Sequence, residues 1–433
     1  MTNTLEALKS GKLVGSKSLK LACGLTAFPE AVITLAETLE VLDLSDNKIS
    51  VLPDSISKLK KLRIIFFARN KFTEFPAVLG QCPELRMIGF KSNQIHNVPE
   101  NAFPPKMHWL ILTDNKIKKL PKSIGDAPYL RKCALAGNLL ETLPSEMANC
   151  KALELLRISA NNLELIPDWL FNLPKLSWLA FGGNPGVQQI QSNTQIATLA
   201  WEDFKVEHLI GEGASGFISK AKWHTKNKDV AIKIFKGALT SDGLPEDEMG
   251  LSIAAGYHDN LIQILGKIDN HPEDKIALIM QLIDTSYTNL GNPPSLETCT
   301  RDIIDKTMEF TEAQFLKIAK SMASVCAHLH KKGINHGDFY AHNILINQNA
   351  HTILGDFGAA SFYDKNLPIA QNIERIEVRA FGCLIEDLLD LVCRNDKHND
   401  TLNIWTKLIQ DCTIPEVRLR PSFLEISERL AEF

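Results

Sequence analysis

The sequence lacks several patterns that mark whole classes of protein. Its 433 residues contain no Lys/Arg-rich run and carry a formal net charge of -4, so they give no electrostatic footprint for nucleic acid or acidic lipid. No stretch approaches the ~20 apolar residues of a membrane span, and the first residues lack the basic and apolar regions of a secretory signal. A content of 45% hydrophobic and 23% charged residues excludes disordered and collagen-like chains. The composition predicts a cytoplasmic globular protein of two or three domains that binds a small molecule or a protein.

Disulfides and cysteine-based metal sites are also not indicated. The nine cysteines are odd in number and scattered, and no C-x-x-C pair occurs. We expect reduced thiols in a reducing compartment. Three of the first four cysteines fall at fixed offsets of a repeat, where a small buried hydrophobe fits.

What the sequence does contain, in its first half, is a repeat of about 23 residues. Seven asparagines lie 22 or 23 residues apart, each after an L-x-x-L-x-L-x-x-N frame: Asn47, Asn70, Asn93, Asn115, Asn138, Asn161 and Asn184. Such a period is typical of a solenoid, and the frame resembles leucine-rich repeats. We expect about eight units, an α/β solenoid with parallel strands, and a structural role for the asparagines at the bend after each strand.

The strands of this repeat predict a binding face. Side chains that alternate with the core positions point to the concave side, and they include Ile64, Phe66, Met87, Trp109, Ile111, Leu155, Arg157 and Trp178. A stripe with tryptophans is more apolar than soluble surfaces usually are, and aromatic residues are favoured anchors of interfaces. Phe66, Trp109 and Trp178 are therefore predicted to bind protein, either a separate partner or another part of this chain.

The repeat ends at Asn184-Pro185-Gly186, and the polar stretch 188–195 that follows has no periodicity. This stretch is the predicted boundary. The predicted domains are residues 1–200, the solenoid, and residues 201–433.

The second half begins with a glycine-rich turn between two extended runs. Gly211-x-Gly213-x-x-Gly216 allows backbone to approach phosphate oxygens, although this motif alone is a weak signal. Fourteen residues after Gly216, Val230-Ala231-Ile232-Lys233 places a lysine at the end of an apolar strand. Together these segments resemble the glycine-rich loop and third strand of protein kinases.

Further motifs follow in the order of that fold. HGDFYAHN contains Asp338 and Asn343 five residues apart, Asp356-Phe357-Gly358 comes thirteen residues later, and EVRAFGCLIEDLL is similar to a late helix of protein kinases. The resemblance runs from Phe204 to the end. It implies an α/β leucine-rich repeat solenoid followed by an α+β bilobal protein-kinase-like domain, with an N-lobe at about 204–283 and a C-lobe at about 284–433.

The resemblance also implies roles for single residues. Lys233 would bind the α- and β-phosphates of ATP and pair with an acid on the next helix, for which Glu248 is preferred and Glu246 is the runner-up. Asp356 and Asn343 would hold Mg²⁺, and Asp338 would orient the acceptor hydroxyl and take its proton. The predicted ATP-binding residues are Ile210, Gly211, Gly213, Gly216, Ile218, Lys233, Glu248, Met280, Gln281 and Leu282.

Some positions depart from the protein-kinase pattern. Gly337 stands where an arginine usually precedes the catalytic aspartate, and Tyr340 replaces a lysine whose charge His342 could partly supply. Only residues 359–376 separate the D-F-G motif from the EVRAFG helix, without an A-P-E motif, so the shelf for a peptide acceptor is truncated and Arg420 lacks its expected Glu partner.

Three functions remain open on these residues. The preferred one is an ATP- and Mg²⁺-dependent serine/threonine protein kinase whose repeats recruit or gate the substrate. The concave face of the repeats would bind a protein partner or substrate, or else the chain's own kinase domain. The second is a phosphotransferase acting on a small molecule or lipid, which the His-Gly-Asp loop and the missing shelf favour. The third is a nucleotide-binding scaffold that has no activity.

Overall fold

The computed structural model describes residues 3–187, 196–213, 215–237, 239–240, 242–392 and 399–432. The chain forms two compact units. The first contains Met1–Leu173 and Asn184–Gly186, and the second contains Pro174–Gly183 and Val187–Phe433. The predicted boundary stretch 188–195 and Cys393 lie outside the described residues, and the division at residue 200 stays a prediction.

The first unit is a solenoid of short parallel strands, as predicted. It begins with helix α1 (Leu5–Lys9), and seven strands follow in register: β1 Ser18–Lys20, β2 Val41–Asp43, β3 Ile64–Phe66, β4 Met87–Gly89, β5 Trp109–Ile111, β6 Lys132–Ala134 and β7 Leu155–Arg157. The middle residue of every strand is fully buried. Most repeats also contain a 3-10 turn: Glu30–Leu35, Asp54–Lys58, Ala77–Gln81, Lys122–Asp126, Ser145–Asn149 and Asp168–Asn172.

Each repeat asparagine forms hydrogen bonds that link its own repeat to the preceding repeat. The Nδ2 of Asn115 donates to the carbonyls of Phe90 and Leu112, both at 3.0 Å, and its Oδ1 accepts from the Ile95 N–H at 2.9 Å. The same pattern recurs at the other repeat asparagines, all of which are buried. The 22- to 23-residue spacing follows from this ladder, because one side chain has to satisfy backbone groups of two neighbouring turns.

The second unit begins with strand β8 (Trp178–Ala180) and continues with a mixed sheet and one helix. These are β9 Thr198–Leu199, β10 Phe204–Glu212, β11 Gly216–Trp223, β12 Lys228–Phe235, α2 Pro245–Ala255, β13 Ile264–Ile268 and β14 Ala277–Gln281. The strand order is β10-β11-β12-β14-β13-β9, antiparallel except for the β13–β9 pair. One face buries Phe204, Trp223 and Ile232, and the other buries Phe235 and Leu278 together with Ile253 of α2.

The rest of this unit is mainly helical. Its elements are β15 Thr288–Asn289, α3 Glu312–Lys331, β16 Ile334–Asn335, β17 Ile344–Ile346, β18 Thr352–Leu354, β19 Ser361–Phe362, α4 Ala370–Leu389, α5 Asn399–Thr413 and α6 Phe423–Ala431. Thr311 caps α3 through a capping box with Gln314. Helix α3 packs against α4 and α6, and α4 packs against α5. In the described ranges, no helix has both the length and the apolar character needed to cross a bilayer.

The short strands β15, β16, β17, β18 and β19 position the predicted catalytic motifs. β16 pairs with β19, so the residues before Asp338 lie beside those after Gly358. β17 and β18 form a hairpin, and the backbone N–H of Gly355 donates to the Asn343 carbonyl at 3.0 Å. These pairings bring two motifs that are separate in sequence next to each other.

Candidate active site

The glycine-rich turn forms one wall of a cavity of about 140 Å³ in the second unit. Gly216 lies where a Cβ would come within 2.5 Å of the Ile234 carbonyl, so a side chain has no room there. The structure brings many of the predicted nucleotide residues together at this cavity. Its lining includes Gly213, Gly216, Ile218, Lys233, Glu248, Met280 and Asp356.

The cavity lining contains an ion pair. Lys233 of β12 contacts the Glu248 carboxylate of α2, and both side chains are largely buried. Burial raises the pKa of Glu248, and the neighbouring Lys233 ammonium opposes this rise. Glu246, the runner-up, is exposed. Sequence spacing placed both acids on the same helix, but only the face of α2 decides which of them meets Lys233.

Much of the remaining lining is apolar. Ile218, Ile264, Leu278 and Met280 belong to it, and Met280 is buried at the end of β14. An apolar slot beside a lysine and a carboxylate fits a purine with attached phosphates.

Four predicted ATP-binding residues lie outside this lining. Ile210 is about half exposed, and Gly211, Gln281 and Leu282 are not among the residues that form the cavity. The Gln281 N–H donates to the Gln263 carbonyl at 2.9 Å, so it already serves the sheet. This bond uses only the N–H of Gln281, and purine binding by the backbone of Gln281 and Leu282 stays a prediction.

The predicted catalytic residues Asp338 and Asn343, which lie in the segment 336–343 that we call the catalytic loop, contact each other. Asn343 Nδ2 donates to the Asp338 carbonyl at 2.9 Å and to its Oδ2 at 2.8 Å. Because Nδ2 is directed at Asp338, the Oδ1 of Asn343 is the atom that can coordinate a cation. The Gly358 N–H donates to the Asp356 carboxylate at 3.1 Å. Carboxylate and amide oxygens are the ligands that Mg²⁺ prefers, so the donor set of Asp356 and Asn343 fits this ion.

A buried acid that sequence reasoning missed holds the catalytic loop. Glu377 of α4 is 1% exposed, accepts from the Gly337 N–H at 2.9 Å, and contacts His330 Nε2 at 2.8 Å. Burial raises the pKa of Glu377, but the hydrogen bond and charge of His330, with His336 and the Gly337 N–H, lower it below its ordinary value. The signal was present in the sequence, because Glu377 lies among buried apolar positions of an amphipathic helix.

A second missed contact involves His342. Asp302 accepts from the His342 backbone N–H at 3.0 Å and lies 2.8 Å from its Nδ1. Burial lowers the pKa of His342, but the hydrogen bond and charge of Asp302 and the charges of Asp338 and Asp356 produce a net rise. No sequence motif marks Asp302.

The departures at Gly337 and Tyr340 have a local structural reason. Gly337 has φ +72°, and a Cβ there would lie 2.5 Å from the Ala359 carbonyl oxygen and 2.6 Å from that of Leu179. An arginine does not fit in this space. Tyr340 stacks on Trp178 with ring centroids 4.3 Å apart.

The three predicted partner-binding aromatic residues have different surroundings. Trp178 is only 2% exposed and packs inside the second unit of this chain. In the first unit, the Phe66 ring covers Gly89, where a Cβ would lie 2.6 Å from the ring, and the Lys132 ammonium lies 4.2 Å from the Trp109 ring centroid. Phe66 and Trp109, which are half-buried, stay predicted contacts for a separate partner, whereas Trp178 contacts residues of the chain's own second half.

Comparison with known proteins identifies two regions. Residues 204–376 match the protein kinase domain family, and residues 37–95 match the leucine rich repeat family. Probable serine/threonine-protein kinase pats1 of Dictyostelium discoideum is 32% identical over 300 residues, which are 56% of this chain and 9% of that protein. Serine/threonine-protein kinase PITSLRE of Drosophila melanogaster is 25% identical over 181 residues, 41% of this chain and 17% of that one.

A plant relative shows the same pattern of partial coverage. Putative L-type lectin-domain containing receptor kinase V.8 of Arabidopsis thaliana is 30% identical over 172 residues, 39% of this chain and 26% of that one. The chain therefore spans about a quarter or less of the length of these relatives.

Proposed function

We propose that this chain, which has a protein kinase domain and leucine-rich repeats, is an ATP- and Mg²⁺-dependent serine/threonine protein kinase. The observation that carries the proposal is a single cavity lined by the glycine-rich turn, the Lys233–Glu248 pair and Asp356. Asp338 and Asn343 lie next to this cavity, because Gly355, which lines it, donates its N–H to the Asn343 carbonyl and Asn343 donates to Asp338. The acceptor class is supported by the names of the relatives.

The residues of the site divide the work of phosphoryl transfer. Lys233, held by Glu248, binds the α- and β-phosphates, and the apolar slot at Met280 takes the purine. Asp356 and Asn343 would hold Mg²⁺, whose charge offsets the charge on the phosphates. Asp338 orients the acceptor hydroxyl and takes its proton. Since the residues of such a site mainly position charges, small displacements of the loop reduce the rate strongly.

The test compares the two acids of α2 in the full chain. Transfer from γ-labelled ATP with Mg²⁺ is measured on the chain itself and on generic protein acceptors. We expect Glu248→Gln to lower the rate on the order of a hundredfold, because Lys233 loses its anchor, and Glu246→Gln, on an exposed position, to leave it unchanged. Equal effects of the two substitutions, or no transfer by the unmodified chain, would contradict the proposal.

The repeats are proposed to bind a protein acceptor through Phe66 and Trp109. Both are aromatic side chains at the ends of β3 and β5, next to charged and apolar neighbours, as anchors of protein interfaces often are. We expect Trp109→Ala to raise the KM for the protein acceptor and to leave ATP binding intact. A parallel loss of ATP affinity would refute this separation of roles.

A small-molecule or lipid acceptor is the second candidate. The short segment 359–369 between the D-F-G motif and α4 favours it, because this segment offers little surface for a peptide. The His-Gly-Asp loop is weaker support, since Gly337 has a steric explanation. A panel of protein and metabolite acceptors separates the two, and ATP binding without turnover on the whole panel would favour the inactive scaffold.

A further inference from the structure

Residues Pro174–Gly183 have the sequence of the eighth repeat but belong to the compact unit that contains the kinase site. We propose that this 174–183 segment is a positioning element of the catalytic loop and that Trp178 is its main positioning residue. The inference deepens the proposed function and rests on it for its kinetic readout.

Trp178 contacts the two residues that directly follow Asp338. Its indole Nε1–H donates to the Phe339 carbonyl at 3.0 Å, and its ring stacks on Tyr340 at 4.3 Å with an interplanar angle of 7°. Phe339 and Tyr340 are 1% and 4% exposed. In such a dry environment the hydrogen bond and the stacked rings restrict the backbone on one side of Asp338.

The backbone next to Trp178 contacts the other side of the loop. The Leu179 carbonyl accepts from Asn335 Nδ2 at 3.0 Å and closes over Gly337, where a Cβ would lie 2.6 Å from it. The glycine that departs from the kinase pattern is therefore the residue that lets the 174–183 segment approach. The Gly337 departure and the Trp178 stack therefore have one cause, the close approach of the 174–183 segment to the loop.

The 174–183 segment is also held at both ends. The Ser361 hydroxyl of β19 accepts from the N–H groups of Phe181 and Gly182 at 3.1 and 2.9 Å. At the other end, Arg379 donates to Ser177 Oγ at 2.6 Å.

Arg420, which lacks the glutamate expected from the kinase pattern, donates to the Pro174 carbonyl at 2.7 Å. Its other hydrogen bonds go to the carbonyls of Ile414 and Arg375. The 174–183 segment thus provides a contact that a longer activation segment would otherwise supply.

These contacts indicate that the 174–183 segment supports the catalytic loop and does not block the nucleotide cavity. Trp178 is not among the residues that line the nucleotide cavity. The Trp178 side chain contacts Phe339 and Tyr340, whereas the Nδ2 of Asn343 donates to Asp338. Removal of Trp178 would leave a buried carbonyl without its donor and would free the backbone beside the proposed catalytic base.

The test uses the full chain with Trp178→Ala and Trp178→Phe. A third variant, Ser361→Ala, removes the hydroxyl that accepts from the N–H groups of Phe181 and Gly182. Trp169→Phe is the matched control, because Trp169 lies in the 3-10 turn Asp168–Asn172 of the first unit. We expect Trp178→Ala to lower kcat on the order of ten- to a hundredfold with little change in the KM for ATP. Trp178→Phe keeps the stacked ring and should lose less.

Hydrogen exchange supplies a readout that does not need activity. The amides of residues 336–343 should exchange faster in Trp178→Phe and Ser361→Ala, while those of β10 to β12 keep their rates. An unchanged or higher kcat, or effects equal to those of Trp169→Phe, would overturn the proposal.

Two further outcomes also decide the inference. If the unmodified chain transfers no phosphate, the proposed function fails, and the exchange of 336–343 alone decides whether the 174–183 segment positions the loop. If Trp178→Ala does not fold, Trp178→Phe and Ser361→Ala decide it.

Discussion

Replacement of Gly337 by alanine is a direct test of how tightly the catalytic loop is enclosed. The added Cβ would lie 2.5 and 2.6 Å from two backbone oxygens, so these must move by about 0.5 Å to reach an acceptable contact. The backbone has φ +72°, which costs an alanine roughly 1–2 kcal/mol. Overpacking in a rigid core adds about 1–3 kcal/mol. We expect the second unit to lose about 3 kcal/mol of stability and kcat to fall on the order of tenfold or more.

Gly24→Ala separates the two costs. Gly24 has nearly the same φ, +75°, but a Cβ there meets nothing within 4 Å. Gly24→Ala should therefore lower the stability of the first unit only by the cost of the backbone strain, and it should not change the rate of phosphate transfer. The stability of each unit is followed by hydrogen exchange of its most protected amides, those of α3 and α4 for the second unit. Equal stability losses for Gly337→Ala and Gly24→Ala, or an unchanged kcat for Gly337→Ala, would refute the reasoning.

Three further predictions address the rest of the molecule. Asn115→Ala removes four buried hydrogen bonds and should lower the free energy of unfolding of the first unit by about 3 kcal/mol in urea, whereas the exposed Asn162→Ala should change it by less than about 0.5 kcal/mol. Folding lowers the pKa of Glu377, so the ionised carboxylate stabilises the fold above the ordinary pKa of 4.5, and this stabilisation is lost as the pH falls through the folded pKa. The difference in urea stability between the wild type and Glu377→Gln should therefore shrink on acidification. A difference that stays constant with pH would contradict this. In a Cys393→Ser background, Cys23 should react with maleimide at pH 8 much faster than the seven buried cysteines, as mass spectrometry of the labelled peptides would show.

Several elements could be predicted from local sequence alone. The asparagine spacing predicted the solenoid, and the structure confirms its parallel strands and buried middle residues. The glycine-rich turn between two extended runs is also confirmed, as the strands Phe204–Glu212 and Gly216–Trp223. These features repeat or follow one another within a few residues, so backbone periodicity and turn chemistry determine them.

The supporting contacts of the site could not be predicted in the same way. Asp302 and Glu377 each contact the catalytic loop from about 40 residues away. The apolar neighbours of Glu377 on its helix indicate that it is buried, but not which residue it contacts, and nothing in the sequence marks Asp302. Trp178 was correctly placed among the side chains that alternate with the core positions, but its partner Tyr340 is 162 residues away. The alternation of side chains along a strand predicts the face to which a side chain points, but it does not predict which residues pack on that side chain.

The amino-acid sequence by itself determined the two kinds of architecture, and it predicted the order of the residues that are proposed to hold a phosphate, a metal ion and a proton. Only the tertiary structure decided which of two acids on α2 meets Lys233 and which of three aromatic residues is buried. It also showed that Gly337 is an adaptation to a neighbouring backbone. The physical reason is that hydrogen bonding and side-chain periodicity act over a few residues, whereas close packing selects among distant partners by shape.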